Sequence, residues 1–231
     1  RLGVYFEKLW QFFLTISPRF NCLGHNIPIR EQGRTLGEFD LIVHDKESDE
    51  IEHWELAVKF YLGLDCIQGQ RTWFGPNLHD RLDKKHHHLI QHQLALSKTP
   101  AAKTACQDKG WAIKDSRLIS KGRLFYPSAT TSQVPETNLA RNHLVGQWWT
   151  WSDFVAYFQA QSKARFLPLD KQDWMAIRPG RNVDFIPFTQ LREPEKPQQL
   201  LISVPGKRDN VIFLVADDWP AKASAHIQNN K

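Results

Sequence analysis

Three carboxylates and one ammonium group lie close together in the sequence, between residues 38 and 59. Glu38 and Asp40 are two residues apart, and Glu55 is followed by Lys59 four residues later. Carboxylate oxygens are the ligands that Mg²⁺ prefers in proteins. A cluster of acidic side chains with one lysine therefore indicates a divalent metal site, if the fold brings the side chains together.

The segments around these residues predict an antiparallel hairpin. Arg34 to Asp45 and Glu50 to Gly63 are rich in strand-forming residues, and the short polar loop Lys46 to Asp49 joins them. A loop of this length places Asp40 directly opposite Glu55, with Glu38 on the same face. Like charges opposite each other destabilise a sheet, so the arrangement calls for a compensating cation.

Side chains alternate along a strand, so the two faces of the hairpin can be predicted. The apolar face is expected to carry Phe39, Leu41, Val43, Trp54, Leu56, Val58, Phe60 and Leu62. The polar face is expected to carry Glu38, Asp40, His44, His53, Glu55, Ala57 and Lys59. An antiparallel hairpin often leaves one face in water. On that alternative Lys59 only neutralises Glu38 or Glu55, and the face has no chemistry.

The order of the motifs resembles a known family. Glu7, Asn26, the segment GEFDLIV (37–43) and the segment ELAVK (55–59) follow one another as in the core of the PD-(D/E)XK nuclease superfamily. The resemblance is closest to archaeal Holliday junction resolvases and small RecB-like nucleases, and it suggests an uncharacterised bacterial family within that superfamily. It covers about the first half of the chain. It implies a restriction-endonuclease-like α/β core, with a mixed sheet and the order helix, strand, hairpin, helix, strand.

The resemblance also implies roles for the charged residues. Asp40 and Glu55 would hold Mg²⁺ or Mn²⁺, with Glu38 or Glu7 holding an outer water. Lys59 would position the attacking water or stabilise the transition state, so the catalytic set is Asp40, Glu55, Lys59 and Glu7. The implied reaction is hydrolysis of phosphodiester bonds in DNA or RNA, with DNA favoured, and the resemblance to resolvases implies a homodimer.

One position departs from the superfamily's pattern. The glutamate normally lies two residues before the lysine, and that position is Ala57 here. At about 3.3 Å per residue, Glu55 and Lys59 are attached roughly 13 Å apart along the strand. A bulge near Ala57 would shorten this separation. Either the glutamate has moved and the site is active, or the site is degenerate; the sequence leaves both open.

Basic residues further along the chain are candidates for contact with nucleic acid. Lys84 and Lys85 lie on a helix predicted over Asp80 to Ser97, and Lys121 and Arg123 lie on a strand predicted over Arg117 to Tyr126. Basic residues on an edge strand also discourage aggregation. For Lys121 and Arg123, this structural role remains an alternative to contact with nucleic acid. The nucleases that the chain resembles often carry a functional glutamine or lysine on the predicted helix, and the glutamine candidates here are Gln91 and Gln93. His86, His87, His88 and His92 fit a solvated helix face better than a metal site, because consecutive histidines do not converge.

The chain is predicted to divide at about Pro127. Residues 1–126 form the nuclease-like core and 127–231 a C-terminal extension, which begins with a linker rich in Ser, Thr and Pro. In the extension, the aromatic run 147–151 precedes a helix over Ser152 to Gln161; its rings fit core packing better than stacking on bases. Residues Gln199 to Val204 and Val211 to Ala216 predict a second hairpin. Residues after Pro220 are predicted to form a polar tail.

Composition sets broader limits. The 231 residues are 41% hydrophobic and 24% charged, which is ordinary for a globular protein with one large core. A net charge of +5 is compatible with an anionic partner. No apolar run reaches the length of a membrane span. Three widely spaced cysteines indicate the reduced cytoplasm, and because no methionine precedes Arg1 we expect the chain to continue before it.

Three functions follow, from different classes. The first is a metal-dependent nuclease. The second is a catalytically degenerate relative that binds nucleic acid without cutting it, which Ala57 favours. The third is an interaction module whose aromatic C-terminal half binds protein.

Overall fold

A computed structural model of the chain describes residues 2–65, 71–129, 140, 142–176 and 184–228. These residues contain five α-helices and nine strands. The elements are α1 (Leu2–Ile16), β1 (Phe20–Glu31), β2 (Arg34–Asp45), β3 (Glu50–Asp65), β4 (Arg71–Phe74), α2 (Leu82–His88), α3 (Pro100–Gln107), β5 (Ile113–Pro127), β6 (Leu144–Thr150), α4 (Trp151–Phe158), β7 (Arg165–Leu169), β8 (Gln198–Ser203), β9 (Asn210–Val215) and α5 (Trp219–Gln228).

The described strands form a mixed sheet in the order β1-β2-β3-β5-β6-β9-β8-β7, and β4 pairs with β3. β1, β2 and β3 are antiparallel neighbours, whereas β6 runs parallel to both β5 and β9. β7, β8 and β9 are again antiparallel. The predicted α/β class with a mixed sheet is therefore confirmed, as are both predicted hairpins.

The chain separates into two compact units, and the long strands β3 and β5 contribute to both. Unit 1 contains residues Arg1–Val58 and Asp83–Lys121. On one face of its sheet, Trp10 of α1 packs edge to face on Trp54. On the other face, Ala102 and Cys106 of α3 pack against Ile42. Since Leu41 pairs with Trp54, Trp54 and Ile42 point to opposite faces, so both faces of this part of the sheet are covered.

Unit 2 contains residues Lys59–Leu82 and Gly122–Lys231 and has a strongly aromatic core. Phe154 and Phe158 of α4 pack against Phe166 of β7 and against aliphatic residues of β8 and β9. Burial of each large apolar side chain contributes about 1.5–3 kcal/mol. Trp148, in the aromatic run, is buried and donates a hydrogen bond to the Gly63 carbonyl, so this tryptophan serves the core, as predicted.

Gly122 is required where β5 passes Lys59. Its φ is +144°, and a Cβ at this position would lie 1.6 Å from the Lys59 carbonyl oxygen. Any other residue would displace the backbone of one of the two strands.

Several predicted boundaries are wrong. The helix predicted over Asp80 to Ser97 ends as α-helix at His88 and continues as a π-helix over Leu89–Gln93 and a 3₁₀ turn over Leu96–Lys98. α3 follows after Thr99, whose side chain caps it. The predicted loop after Gly63 contains β4, because Trp73 and Phe74 are buried there. The predicted polar tail is α5, because Trp219 and Ala223 pack inward although their neighbours are polar.

Two predictions fall on residues that the structure does not describe. The predicted linker lies mostly within 130–139, and Cys66 is one of the three cysteines; both lie outside the described residues. Cys22 and Cys106 are free thiols. Within the described residues, no helix combines the length and apolar character needed to cross a membrane.

Candidate active site

Asp40 lies where strands β2 and β3 stop pairing. The ladder runs from Asp45 opposite Glu50 to Leu41 opposite Trp54, which is the register that the sequence predicts. At the next position, Oδ2 of Asp40 accepts a hydrogen bond of 2.7 Å from the backbone N–H of Leu56. The carboxylate thus takes the partner that a strand carbonyl would have, and its position is fixed by the backbone of β3.

Glu55 is the buried acid of the site. Its relative exposure is only 4%, and its Oε1 accepts a hydrogen bond of 3.2 Å from Nε2 of Gln93. Its Oε2 lies 3.6 Å from Nε2 of His53, which is fully buried. Among the described residues neither this Oε2 nor either ring nitrogen of His53 has a hydrogen-bond partner. A buried carboxylate oxygen without a partner is costly, so the site has unused capacity for a ligand.

The π-helix positions the glutamine. Gln93 is its last residue, and the extra residue in a π-helical turn changes which side chains face the sheet. Gly37 of β2 allows the segment to approach: a Cβ there would lie 2.9 Å from Cδ2 of Leu96 and 3.5 Å from Oε1 of Gln93. Of the two predicted glutamines, Gln93 reaches the site and Gln91 is exposed.

The electrostatics of the site disfavour ionisation of Asp40. Burial, the charge of Glu55 and, more weakly, the charges of Glu7 and Glu38 raise the pKa of Asp40 from 3.8 to about 7. The hydrogen bond from Leu56 opposes this rise. Charge repulsion and burial together are the conditions under which a bound cation stabilises a carboxylate cluster.

Asn26 connects the remaining two acids. Its Nδ2 lies 3.4 Å from Oε2 of Glu7 and 3.2 Å from Oε1 of Glu38, so one amide group donates to a residue of α1 and a residue of β2. Asn26 has φ +50°, a left-handed conformation that asparagine tolerates better than most residues. Glu7 and Asn26, which follow one another in the motif order, are thus in contact in the fold.

The predicted faces of the hairpin need two corrections. Phe39 was expected on the face opposite His53, but the two ring centroids are 4.4 Å apart, and Phe39 shares a core cluster with Ile42. The regular alternation is broken at Asp40, where the ladder ends. The alternative of a solvated polar face is wrong at His53 and Glu55, which are both buried.

Lys59 belongs to unit 2, where its ammonium group pairs with Asp80. The sequence had suggested Glu38 or Glu55 as its partner. Asp80 lies 21 residues beyond Lys59, at the end of the turn that follows β4, and no local pattern marks it. Ala57, two residues before Lys59, is buried.

The predicted basic residues lie on other elements. Lys84 is exposed and Lys85 half-buried on α2, and Lys121 is exposed on β5. Arg123 is half-buried, and burial lowers the pKa of its guanidinium group. His88 and His92 are exposed with ring centroids 5.0 Å apart.

The donor set can be tested against a metal ion. Among the described residues, no three His, Cys, Asp or Glu side chains are arranged to hold a metal between them. Asp40 and Glu55 nevertheless offer only oxygen donors, and one of them is a buried oxygen without a hydrogen-bond partner in the described part of the chain. This fits Mg²⁺, which keeps several waters and binds through one or two carboxylates plus substrate phosphate. It does not fit a fully protein-enclosed metal site.

Residues 1–216 match the model of a family described as a domain of unknown function, DUF1853. The chain belongs to this family. The DUF1853 match spans both compact units, so the carboxylate site and the aromatic unit are parts of one family domain. Comparison with curated proteins and with solved structures gives no match.

Proposed function

We propose that this protein is a metal-dependent nuclease-like hydrolase that acts on phosphodiester bonds in nucleic acid, with DNA favoured over RNA. The observation that carries the proposal is the placement of Asp40 beside the buried Glu55, one of whose oxygens has no hydrogen-bond partner among the described residues. The motif resemblance to PD-(D/E)XK nucleases, and especially to resolvase-like and RecB-like members, supports the same activity.

Asp40 and Glu55 would hold Mg²⁺ or Mn²⁺, which would supply an acidified water and neutralise charge on the phosphate. The protein's own groups keep these carboxylates in place. The Leu56 amide fixes Asp40, and Gln93 fixes Glu55. Glu7 and Glu38, which Asn26 connects, are suited to accept hydrogen bonds from waters at the rim.

The remaining predicted residues have subsidiary parts in the proposal. Lys59 would orient the attacking water after exchanging its present partner Asp80. Lys84, Lys85, Lys121 and Arg123 would contact phosphates, which would make binding weaker as salt rises. A cytoplasmic location is part of the proposal, and the free thiols Cys22 and Cys106 are compatible with it.

Cleavage of single-stranded, double-stranded and branched DNA with Mg²⁺ or Mn²⁺ tests the proposal. We expect Asp40→Asn to reduce the cleavage rate by on the order of a hundredfold or more, since removal of a transition-state charge partner has that effect. Asp49→Asn is the matched control: Asp49 is 92% exposed in the hairpin loop, and its oxygen bonds to His44, which an amide can also do. Equal cleavage by wild type and Asp40→Asn would refute the proposal.

A second candidate is a degenerate relative that binds nucleic acid without cutting it. Two observations favour it: Ala57 replaces the usual glutamate, and Lys59 is paired with Asp80. This candidate predicts salt-sensitive binding of DNA and no heat of Mg²⁺ or Mn²⁺ binding by calorimetry. A metal-binding signal that Asp40→Asn abolishes would exclude it.

A further inference from the structure

Helix α1 has a stripe of large apolar side chains that its own fold leaves uncovered. Its inward side, with Phe6 and Leu14, is buried. The stripe consists of Tyr5, Leu9, Phe12 and Ile16, with relative exposures of 43%, 39%, 61% and 64%. Phe13, exposed to 41%, lies between the stripe and the buried side.

The spacing of the stripe is that of a helix-packing seam. Its residues are separated by four, three and four positions, which keeps them on one side of a helix and matches the seam of paired helices. The stripe contains no charged residue, while Lys8, Gln11 and Thr15 lie on another side of the helix. A helix in a single copy in water would normally carry polar residues on its outward side.

The area is sufficient for a specific contact between two copies. A large apolar side chain offers on the order of 200 Å². At the exposures above, the stripe and Phe13 leave roughly 500 Å² uncovered in each copy, which is at the upper end for a monomer. Two copies would bury about 1,000 Å² from these side chains alone, the lower limit for a biological interface.

We propose that α1 forms the interface of a homodimer, packing antiparallel on α1 of a second copy. The stripe is symmetric about its midpoint between Trp10 and Gln11. An antiparallel two-fold contact therefore sets Phe12 against the partner's Leu9, and Tyr5 against the partner's Ile16. Each large ring meets a smaller aliphatic side chain, which favours close packing. A parallel contact would oppose ring to ring at both positions.

This inference does not depend on nuclease activity. Glu7 lies on the same helix, so the dimer would set two copies of the carboxylate site at a fixed separation. The contact is isologous, which closes the assembly at two copies.

Sedimentation analysis of wild type against Ile16→Glu and Thr15→Glu tests the interface. Both replaced residues are exposed in the last turn of α1 and receive the same charge, but only Ile16 belongs to the stripe. We expect wild type to sediment as a dimer and Thr15→Glu to match it. Ile16→Glu should raise the dimer dissociation constant at least tenfold, which is about 1.4 kcal/mol, and Phe12→Glu should do the same. A monomeric wild type, or equal dissociation of the two matched variants, would overturn the proposal.

A cross-linking experiment tests the orientation without relying on a charge in the stripe. Tyr5→Cys and Ile16→Cys proteins, oxidised as a mixture, should give a disulfide-linked dimer that neither gives alone. The background from Cys22, Cys66 and Cys106 is measured on oxidised wild type. Linkage of Tyr5→Cys to itself in comparable yield would contradict the antiparallel contact. Circular dichroism of each variant checks whether α1 and the rest of the fold are retained.

Discussion

The β2–β3 hairpin carries two pairs of carboxylates whose hydrogen-bond donors differ in charge. Near its loop, Asp45 accepts two hydrogen bonds from Arg19, of 2.9 and 2.6 Å, which lower the pKa of Asp45. Glu52 accepts from Trp54 at 2.6 Å and from Arg117 at 2.7 Å. Each acid of this loop-end pair therefore has an arginine.

At the other end, Asp40 and Glu55 are held by a backbone amide and by a glutamine side chain. These are neutral donors, and neither of them brings a positive charge to offset the repulsion between the two acids. Because the loop-end pair shows that the same hairpin can recruit arginines, the difference points to function. Uncompensated buried charge lowers stability and is retained mainly where a ligand supplies the missing charge.

The largest expected effect is protection by a divalent cation. At a Mg²⁺ or Mn²⁺ concentration about a hundredfold above its dissociation constant, wild type should gain about 2.7 kcal/mol. For a chain of this size, that raises the melting temperature by roughly 5–11 °C. Asp40→Asn should lose this gain and Asp49→Asn should keep it, as measured by thermal unfolding with and without EDTA. An equal gain in Asp40→Asn would place the cation elsewhere.

Amide replacements at the two ends should change stability with opposite signs when no metal is present. Asp40 has a raised pKa, so the folded state binds its proton more tightly than the unfolded state does. Wild-type stability should therefore fall as pH rises from about 4 to about 7, through the interval between the two pKa values. Asp40→Asn removes this loss while its side-chain oxygen can still accept from Leu56. It should be more stable than wild type by about 2 kcal/mol above pH ~8.

Asp45→Asn should behave in the reverse manner. The pKa of Asp45 is lowered by Arg19, so its stabilisation is present above the unfolded value of 3.8 and is lost as pH falls through the folded pKa. The variant should thus be less stable than wild type at neutral pH, and the difference should disappear in acid. Urea denaturation over a pH series measures both variants. Destabilisation by both replacements at neutral pH would remove the contrast between the two ends.

The register of this hairpin could be predicted because it follows from local information. The four-residue loop and the alternation of apolar residues fix which residues pair near the turn. The same rules mispredict Phe39, since the carboxylate of Asp40 replaces a ladder partner and the alternation stops there.

The contacts that complete the site are long-range, and no sequence pattern specifies them. Gln93 bonds to a residue 38 positions away, and its orientation depends on a π-helical turn that apolar periodicity does not reveal. Lys59 pairs with Asp80 across a strand and a turn, although the hairpin pattern predicts Glu38 or Glu55 as its partner. Such pairings depend on tertiary packing, which outweighs local preference.

The smallest expected effect concerns Gln93. Gln93→Ala leaves Oε1 of Glu55 without its donor, and the loss of one hydrogen bond to a buried acid should cost about 1 kcal/mol without metal. Gln91→Ala is the matched control, because Gln91 is exposed on the same π-helix. Urea midpoints in EDTA compare the two variants. If Gln93 serves to orient Glu55 as a ligand, Gln93→Ala should also bind Mg²⁺ more weakly than Gln91→Ala by calorimetry. Equal midpoints and equal metal affinities would show that the glutamine has no part in the site.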